Sequence, residues 1–295
     1  MCSDGPEGPE EFTRGGRGPE RLPLQLPSPG GAKEIRGLAQ HCLENAAPSP
    51  GGFHLTALRN GWTIGRFRAM EELGFPHAVT TRQGLDVNLV HRDHSAVGTL
   101  LAEALGLCGT AFCEQVHGST VLTVERAGAA GRADGLVTRA ASLGLWGRGA
   151  DCPLILAAEP GGIVGMAHAS WRGTVKRIAE EFVAKLVALG ARPQAIVACI
   201  SPSAGPCCYE VGQEVLDAAV AGIGQDAERF FRPVGGGKHL MDLWAANADQ
   251  LVRAGLRPMN VHVAGKCTMC RNDLFPSHRK EGSRAGRFAA IIARR

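Results

Sequence analysis

The stretch GADCPLILAAEPGGIVGMAHASWRG, residues 149–173, decides the fold. Two apolar runs, Leu154 to Ala158 and Ile163 to Ala167, flank Glu159-Pro160-Gly161-Gly162. Runs this short, separated by a Pro/Gly cluster, predict a hairpin or a buried strand pair rather than a helix. Downstream, Thr174 opens an amphipathic helix with Val175, Ile178, Ala179, Phe182, Val183, Leu186 and Leu189 on one side, an expected Glu181–Lys185 pair, and Gly190 as terminator. Buried strands feeding an amphipathic helix predict an α/β (α+β) architecture with mixed sheets and helices outside. Cys152 precedes the hairpin beside Asp151, and His168 emerges at its end.

The same pattern extends in both directions. Phe75 to Asn88 reads as a strand and a turn at Gln83-Gly84, with Arg82 at the strand end. Asp93 caps a helix running to Leu107 through Val97, Leu100, Leu101 and Leu105. Cys113 to Val124 reads as two strands joined by a turn at His117-Gly118. Ala133 to Thr138 and Leu143 to Trp146 are further strand candidates. Beyond the central helix, Ala195 to Ile200 is a strand, Ser201 to Glu210 a loop with adjacent cysteines, and Val211 to Val220 a helix. Leu240 to Gly255 predicts a second clear helix, Val261 to Ala264 a strand, and a basic tail follows Cys267-Thr-Met-Cys270.

Residues 1–52 are rich in Gly, Pro, Glu and Ser and predict a disordered tail, with a short helix possible over Lys33 to Glu44. The folded domain is expected over 53–295. At 295 residues and 44% apolar content the chain can bury a sizeable core. Its longest apolar runs fall far short of the roughly 20 residues a membrane helix needs. Acidic residues at the start and no charged-then-apolar leader argue against export, so a cytoplasmic protein with reduced cysteines is expected. From Lys266 to Arg295 the net charge is +6, which suits an anionic ligand such as phosphate or a solvated surface. One Tyr and ten Phe argue against a stacking platform for single-stranded nucleic acid.

His117, Cys152 and His168 stand at turns or strand ends, and zinc accepts imidazole nitrogen and thiolate together, with a fourth position left for water. Such a metal generates hydroxide near neutral pH. A metal-free alternative uses Cys152 as nucleophile, His117 or His168 as base and Asp151 as orienter. Cys207, Cys208, Cys267 and Cys270 are a second metal candidate, but adjacent cysteines make poor paired ligands, and buried thiols are the expectation. No His is followed two residues later by Glu, so the zinc deaminase signature is absent. Arg172 near a helix start, Arg82 and Arg279 are candidates to hold an anion.

Gln115-Val-His-Gly118, Ala150-Asp-Cys152, Ala167-His-Ala-Ser-Trp-Arg-Gly173, Gly205-Pro-Cys-Cys-Tyr-Glu-Val-Gly212, Met241-Asp-Leu-Trp244 and Cys267 with Ser277-His-Arg-Lys-Glu-Gly282 resemble the laccase-domain, or polyphenol oxidase, family. Its members are described as zinc-dependent purine nucleoside phosphorylases acting on adenosine, inosine, guanosine and methylthioadenosine, with adenosine deaminase activity. The resemblance, from about Pro76 onward, implies a single-domain four-layer α/β/β/α sandwich with zinc on His117, Cys152 and His168. With that activity as the expectation, Arg82, Gln115, Arg172 and Arg279 are the candidates to bind a purine nucleoside and inorganic phosphate, with Arg82, Arg172 or Arg279 on the phosphate. No nucleic acid or membrane partner is implied, and monomer and dimer stay equally open. Two departures stand out: a shortened loop at Gln83 to Asn88, and Ser170 where the motif usually has Gly. The alternatives are a copper-dependent polyphenol oxidase, a Cys-dependent hydrolase of a peptidoglycan precursor, and a non-enzymatic docking protein.

Overall fold

Both apolar runs of residues 149–173 become strands of one antiparallel hairpin, in register from Ile163 opposite Glu159 to His168 opposite Leu154. Every residue of the two strands is buried, which is why neither run alternates with polar residues. The Glu159 carboxylate accepts the Gly161 N–H at 2.5 Å and closes the turn. These positions come from a computed structural model, which describes residues 52–295. The tail and the helix expected within it, up to residue 51, lie outside the described residues.

The strands, in chain order, are β1 (Phe53–Ala57), β2 (Thr63–Phe67), β3 (His77–Thr80), β4 (Gly109–Glu114), β5 (Val121–Thr123), β6 (Gly128–Arg132), β7 (Gly135–Thr138), β8 (Leu143–Gly149), β9 (Leu154–Glu159), β10 (Ile163–His168), β11 (Val197–Ile200), β12 (Glu210–Gly212), β13 (Phe231–Gly235), β14 (Lys238–Met241), β15 (Val261–Val263) and β16 (Phe288–Ala293). They form a seven-stranded sheet ordered β1-β2-β3-β16-β8-β4-β6 and a six-stranded sheet ordered β15-β11-β9-β10-β7-β5. Both mix parallel and antiparallel pairs, so the fold is mixed α/β. Leu145, Phe288, Ala290 and Ile292 of the first sheet share one core with Leu154, Leu156, Val164 and Met166 of the second. The helix Ile178–Ala188 and Leu251 cover the far side of the six-stranded sheet. Val90, Val97 and Leu101, from the helices Val87–Arg92 and His94–Leu105, pack with Trp146 and Ile291 on the other. A three-stranded sheet, β12-β14-β13, has its own cluster around Tyr209, Phe230 and Met241.

Several local expectations give way to tertiary contacts. The central helix is broken: Ser170 caps a single turn, Trp171–Val175, and Arg177 adopts φ +61° before the helix resumes at Ile178. The Thr174 carbonyl accepts the Arg177 N–H at 2.9 Å in a closing turn and, alongside it, the Gln250 side chain at 2.7 Å. The charge pair on this segment is Arg177 with Glu180, not Glu181 with Lys185. Leu240 lies in β14, because the Asp242 carboxylate accepts the Ala245 N–H and starts the helix at Leu243. Cys113 to Val124 does hold two strands joined by a bend at His117-Gly118, but β4 and β5 belong to different sheets and do not pair. The basic tail contains β16, whose six residues are all buried between β3 and β8; its cations flank an apolar strand. Gly165 faces the Phe182 ring, which a Cβ would meet at 2.5 Å, so only glycine lets the helix lie on β10.

His77, fully buried on β3, accepts the Phe67 N–H at Nε2 (2.8 Å) and donates from Nδ1 to the Phe75 carbonyl (2.9 Å). Burial lowers its pKa to about 4, against the opposing pull of the Phe75 hydrogen bond. The unfolded chain therefore takes up a proton near pH 6.5 that the folded chain refuses until about pH 4. This contribution is intact above pH 6.5 and is lost as pH falls toward 4, by about 3 kcal/mol in all. Urea unfolding at pH 7 and pH 4.5 is expected to show this loss, and His77→Gln to flatten the slope.

Candidate metal centre

Three chain segments cross from the seven-stranded to the six-stranded sheet: β4 to β5, β6 to β7, and β8 to β9. They carry, in turn, His117, Asp134 and Cys152, and His168 ends β10 beside them. The rigid sheets thus fix four side chains contributed by different parts of the chain. Two of the crossings use unusual backbone: His117 has φ +58° and Asp151 φ +90°. Such conformations are uncommon for non-glycine residues and cluster at functional sites.

One ligand atom each from His117, Cys152 and His168 lies within 4.8 Å of the others, close enough to share an ion. Asp134 organises the group. Its buried carboxylate accepts the His117 N–H at 3.0 Å, the Gly118 N–H at 2.6 Å and the His168 Nδ1–H at 2.8 Å. Because Nδ1 of His168 is engaged, Nε2 is the nitrogen left for a metal, the usual carboxylate–histidine–metal arrangement. The Asp134 carbonyl also accepts the His168 N–H, at 2.6 Å. Ser170, at the motif departure, accepts the Gly173 N–H and caps the turn that follows His168. Gly173 is pressed against the Gly118 carbonyl, which a Cβ would meet at 2.8 Å. The helix turn therefore buttresses the His117 loop directly.

Electrostatics favour the Cys152 thiolate. Burial pushes the Cys152 thiol up, but the His168 charge and hydrogen bonds from both histidines outweigh it and bring it down to about 6. Burial opposes the His168 imidazolium, yet the Cys152 charge and the Asp134 hydrogen bond raise it to about 9. Cys152 and His168 titrate as a pair, and the thiolate that ligates metals is the favoured form. Burial likewise disfavours the Asp134 carboxylate, but the His168 and backbone hydrogen bonds hold its pKa below the ordinary value.

The three ligands stand on the wall of a cavity of about 300 Å³, which Gln115, Arg148, His91, His278 and Arg287 also line. Arg148 and Arg287 belong to none of the ion pairs among the described residues. Arg287 donates to the Ala285 and Gly286 carbonyls, and Arg148 contacts the His94 ring. Burial and then repulsion from Arg287 lower the pKa of Arg148, and burial lowers that of Arg287 against the pull of Cys152 and Asp151.

A family model described as multi-copper polyphenol oxidoreductase laccase matches residues 86–295. The chain belongs to this family. It is 36% identical over 237 residues to a purine nucleoside phosphorylase of Deinococcus radiodurans, covering 75% of this chain and 89% of that protein. It is 37% identical over 163 residues to adenosine deaminase RL5 from an unknown prokaryotic organism, covering 55% and 62%. The crystal structure of YlmD from Geobacillus stearothermophilus superposes with a TM-score of 0.70 at 29% identity, covering 82% of this chain and 98% of that one.

Within this member of the family, the anion-holding candidates from the sequence occupy different places. Gln115 lines the cavity and clamps its wall, exchanging two 2.9 Å hydrogen bonds with the Arg148 backbone. Arg82 pairs with Glu281 at 2.5 Å and fastens the end of β3 to the short helix His278–Glu281. Arg279 lies 4.6 Å over the Tyr209 ring and donates to the Glu210 carbonyl. Arg172 stacks 4.4 Å over Trp171. None of these three arginines lines the cavity. Asp151 turns from the histidines to Thr268, at 2.6 Å, and to the Arg279 N–H, also at 2.6 Å. Sequence reading missed Asp134, an Ala-Asp-Gly that looks like a turn, and the cavity cations Arg148 and Arg287. Arg148, between two glycines just before Ala150-Asp-Cys152, was the one with a usable signal.

Proposed function

We propose that this protein is a zinc-dependent purine nucleoside phosphorylase with adenosine deaminase activity, acting in the cytoplasm on adenosine, inosine, guanosine and methylthioadenosine. The observation that carries the reading is the His117–Cys152–His168 ligand set on the wall of a cavity that also presents Arg148 and Arg287. Relatives named for both activities support it. Two histidines and one thiolate are a zinc donor set that leaves a position open, and zinc in such a site supplies Lewis-acid polarisation and water activation.

The protein's own part is positioning. Arg148 and Arg287 hold the phosphate whose oxygen attacks ribose C1′ as the base departs, and Gln115 fixes the strand that carries Arg148. His91 is a hydrogen-bonding group rather than a third cation, because burial and then Arg287, Arg148 and Arg92 keep its pKa below 6.5. Purified protein with phosphate and each nucleoside should release free base and the matching sugar 1-phosphate on chromatography (ribose 1-phosphate, or 5-methylthioribose 1-phosphate from methylthioadenosine), with adenosine also giving inosine. Base release that does not depend on phosphate overturns the phosphorylase reading.

A second reading has one observation behind it. Asp134, His168 and Cys152 also form the order of a cysteine nucleophile, its base and the orienting acid, with Asp134 in the place expected for Asp151. That hydrolase would keep its activity after metal removal. Copper phenol oxidation has less support. Multicopper chemistry needs several histidine-rich sites, and the other candidate metal group among the described residues contains no histidine.

A further inference from the structure

Sequence spacing argues against a metal on Cys207, Cys208, Cys267 and Cys270, since two of the four are neighbours. The fold removes the objection. The Cys208 and Tyr209 N–H groups both bond to the Gly205 carbonyl at 2.9 Å, winding residues 205–209 into a tight helical turn. In such a turn successive side chains differ in direction by about 100°. Both thiols reach the same partner: Cys270 Sγ lies 3.7 Å from Cys207 Sγ and 3.5 Å from Cys208 Sγ. Opposite them, the Arg271 N–H closes a turn on the Cys267 carbonyl at 2.8 Å and presents Cys267 and Cys270 from one side. All four sulfurs fall within 4.8 Å of one another.

We propose that these four cysteines bind a second zinc ion in a closed, structural site. The distances separate this from a disulfide. A disulfide has sulfurs about 2.05 Å apart. Zinc–sulfur bonds of about 2.3 Å in a tetrahedron put sulfurs about 3.8 Å apart, close to the spacing seen here. The Gly205 N–H points at Cys267 Sγ from 3.3 Å, the kind of donor that supports a thiolate ligand. Gly205 has no room for a side chain there, because a Cβ would lie 2.7 Å from the Trp244 ring and 3.1 Å from the Cys267 Cβ. Four thiolates on zinc leave two negative charges, and Lys280, whose Nζ donates to the Met269 carbonyl at 3.2 Å, brings a cation alongside.

The ion joins two loops that are also tied by backbone bonds between Ser203 and residues 266 to 268 and by the Gly205 N–H on Cys267. Between the two cysteines of the second loop, Thr268 donates to Asp151, the residue before Cys152. The structural site therefore braces the backbone of the first site without opening a coordination position of its own.

The test is metal content of the full chain by mass spectrometry, in wild type, Cys152→Ala and Cys270→Ser. Cys152→Ala is expected to retain about one zinc per chain and Cys270→Ser to lose one relative to wild type. Cobalt-exchanged Cys152→Ala should show the intense visible and near-ultraviolet bands of a tetrahedral tetrathiolate. That spectrum needs no soluble Cys270→Ser protein and does not depend on the nucleoside reading. Folded Cys152→Ala without metal, a disulfide among the four cysteines under non-reducing conditions, or iron in place of zinc overturns the proposal.

Discussion

Cys152→Ala is expected to lower kcat/KM for phosphorolysis about a thousandfold while leaving the fold intact. The side chain is only partly buried and its removal opens no space inside the sheet core, so the melting temperature should follow the loss of bound metal and little else. Activity responds far more. Removing one of three ligands leaves His117 and His168 as a weak pair, and a metal contributes several kcal/mol of charge stabilisation. About 4 kcal/mol corresponds to a thousandfold in rate. His168 also loses the thiolate whose charge helps to hold its pKa near 9, so its imidazolium becomes easier to deprotonate. Metal analysis, steady-state kinetics and thermal unfolding on one preparation check all three parts. Wild-type turnover in the variant sinks both the metal reading and the cysteine-nucleophile reading. Activity abolished in the variant but resistant to chelators in wild type leaves the nucleophile reading standing.

What the sequence disclosed depended on whether the deciding contact was local. The hairpin of residues 149–173 was legible because both faces of each strand are buried and its turn closes on its own Glu159. The cap at Asp93 was legible for the same reason, its partner being Ala96. The break at Arg177 was hidden, since the side-chain amide that shares the Thr174 carbonyl with the Arg177 N–H comes from Gln250, 76 residues away. The last strand was overlooked although FAAIIA is an apolar run; the charges of Arg287, Arg294 and Arg295 around it made the segment read as surface. The ligand residues stood out by type and by motif. The carboxylate that orients one of them did not, because Asp134 meets His168 only when the β6–β7 crossing and the end of β10 come together.

That carboxylate gives the second large effect. Asp134→Asn keeps the size of the side chain and changes what it offers to four donors. The backbone N–H groups of Val116, His117 and Gly118 and the Nδ1–H of His168 all point at two oxygens. An amide keeps one oxygen and turns an NH2 toward the remaining donors, leaving buried N–H groups unpaired at a cost of about 1–3 kcal/mol. If the amide oxygen faces Gly118 and Val116, its NH2 faces the His117 N–H and His168 and favours the histidine tautomer with the proton on Nε2, the nitrogen a metal needs. Zinc affinity is therefore expected to fall about 10- to 100-fold, as for other carboxylates that orient a ligating histidine. Part of the lost turnover should return at high zinc, because the three ligands remain. The wild-type carboxylate has its pKa below the ordinary value, so its stabilising effect is present at neutral pH and fades as pH falls through that lowered value. The asparagine variant lacks this dependence. Chelator competition, activity against added zinc, and unfolding followed from pH 7 to below the ordinary carboxylate range give the three readouts. Unchanged zinc affinity in a folded Asp134→Asn protein would show that the carboxylate holds the loops together without tuning the metal.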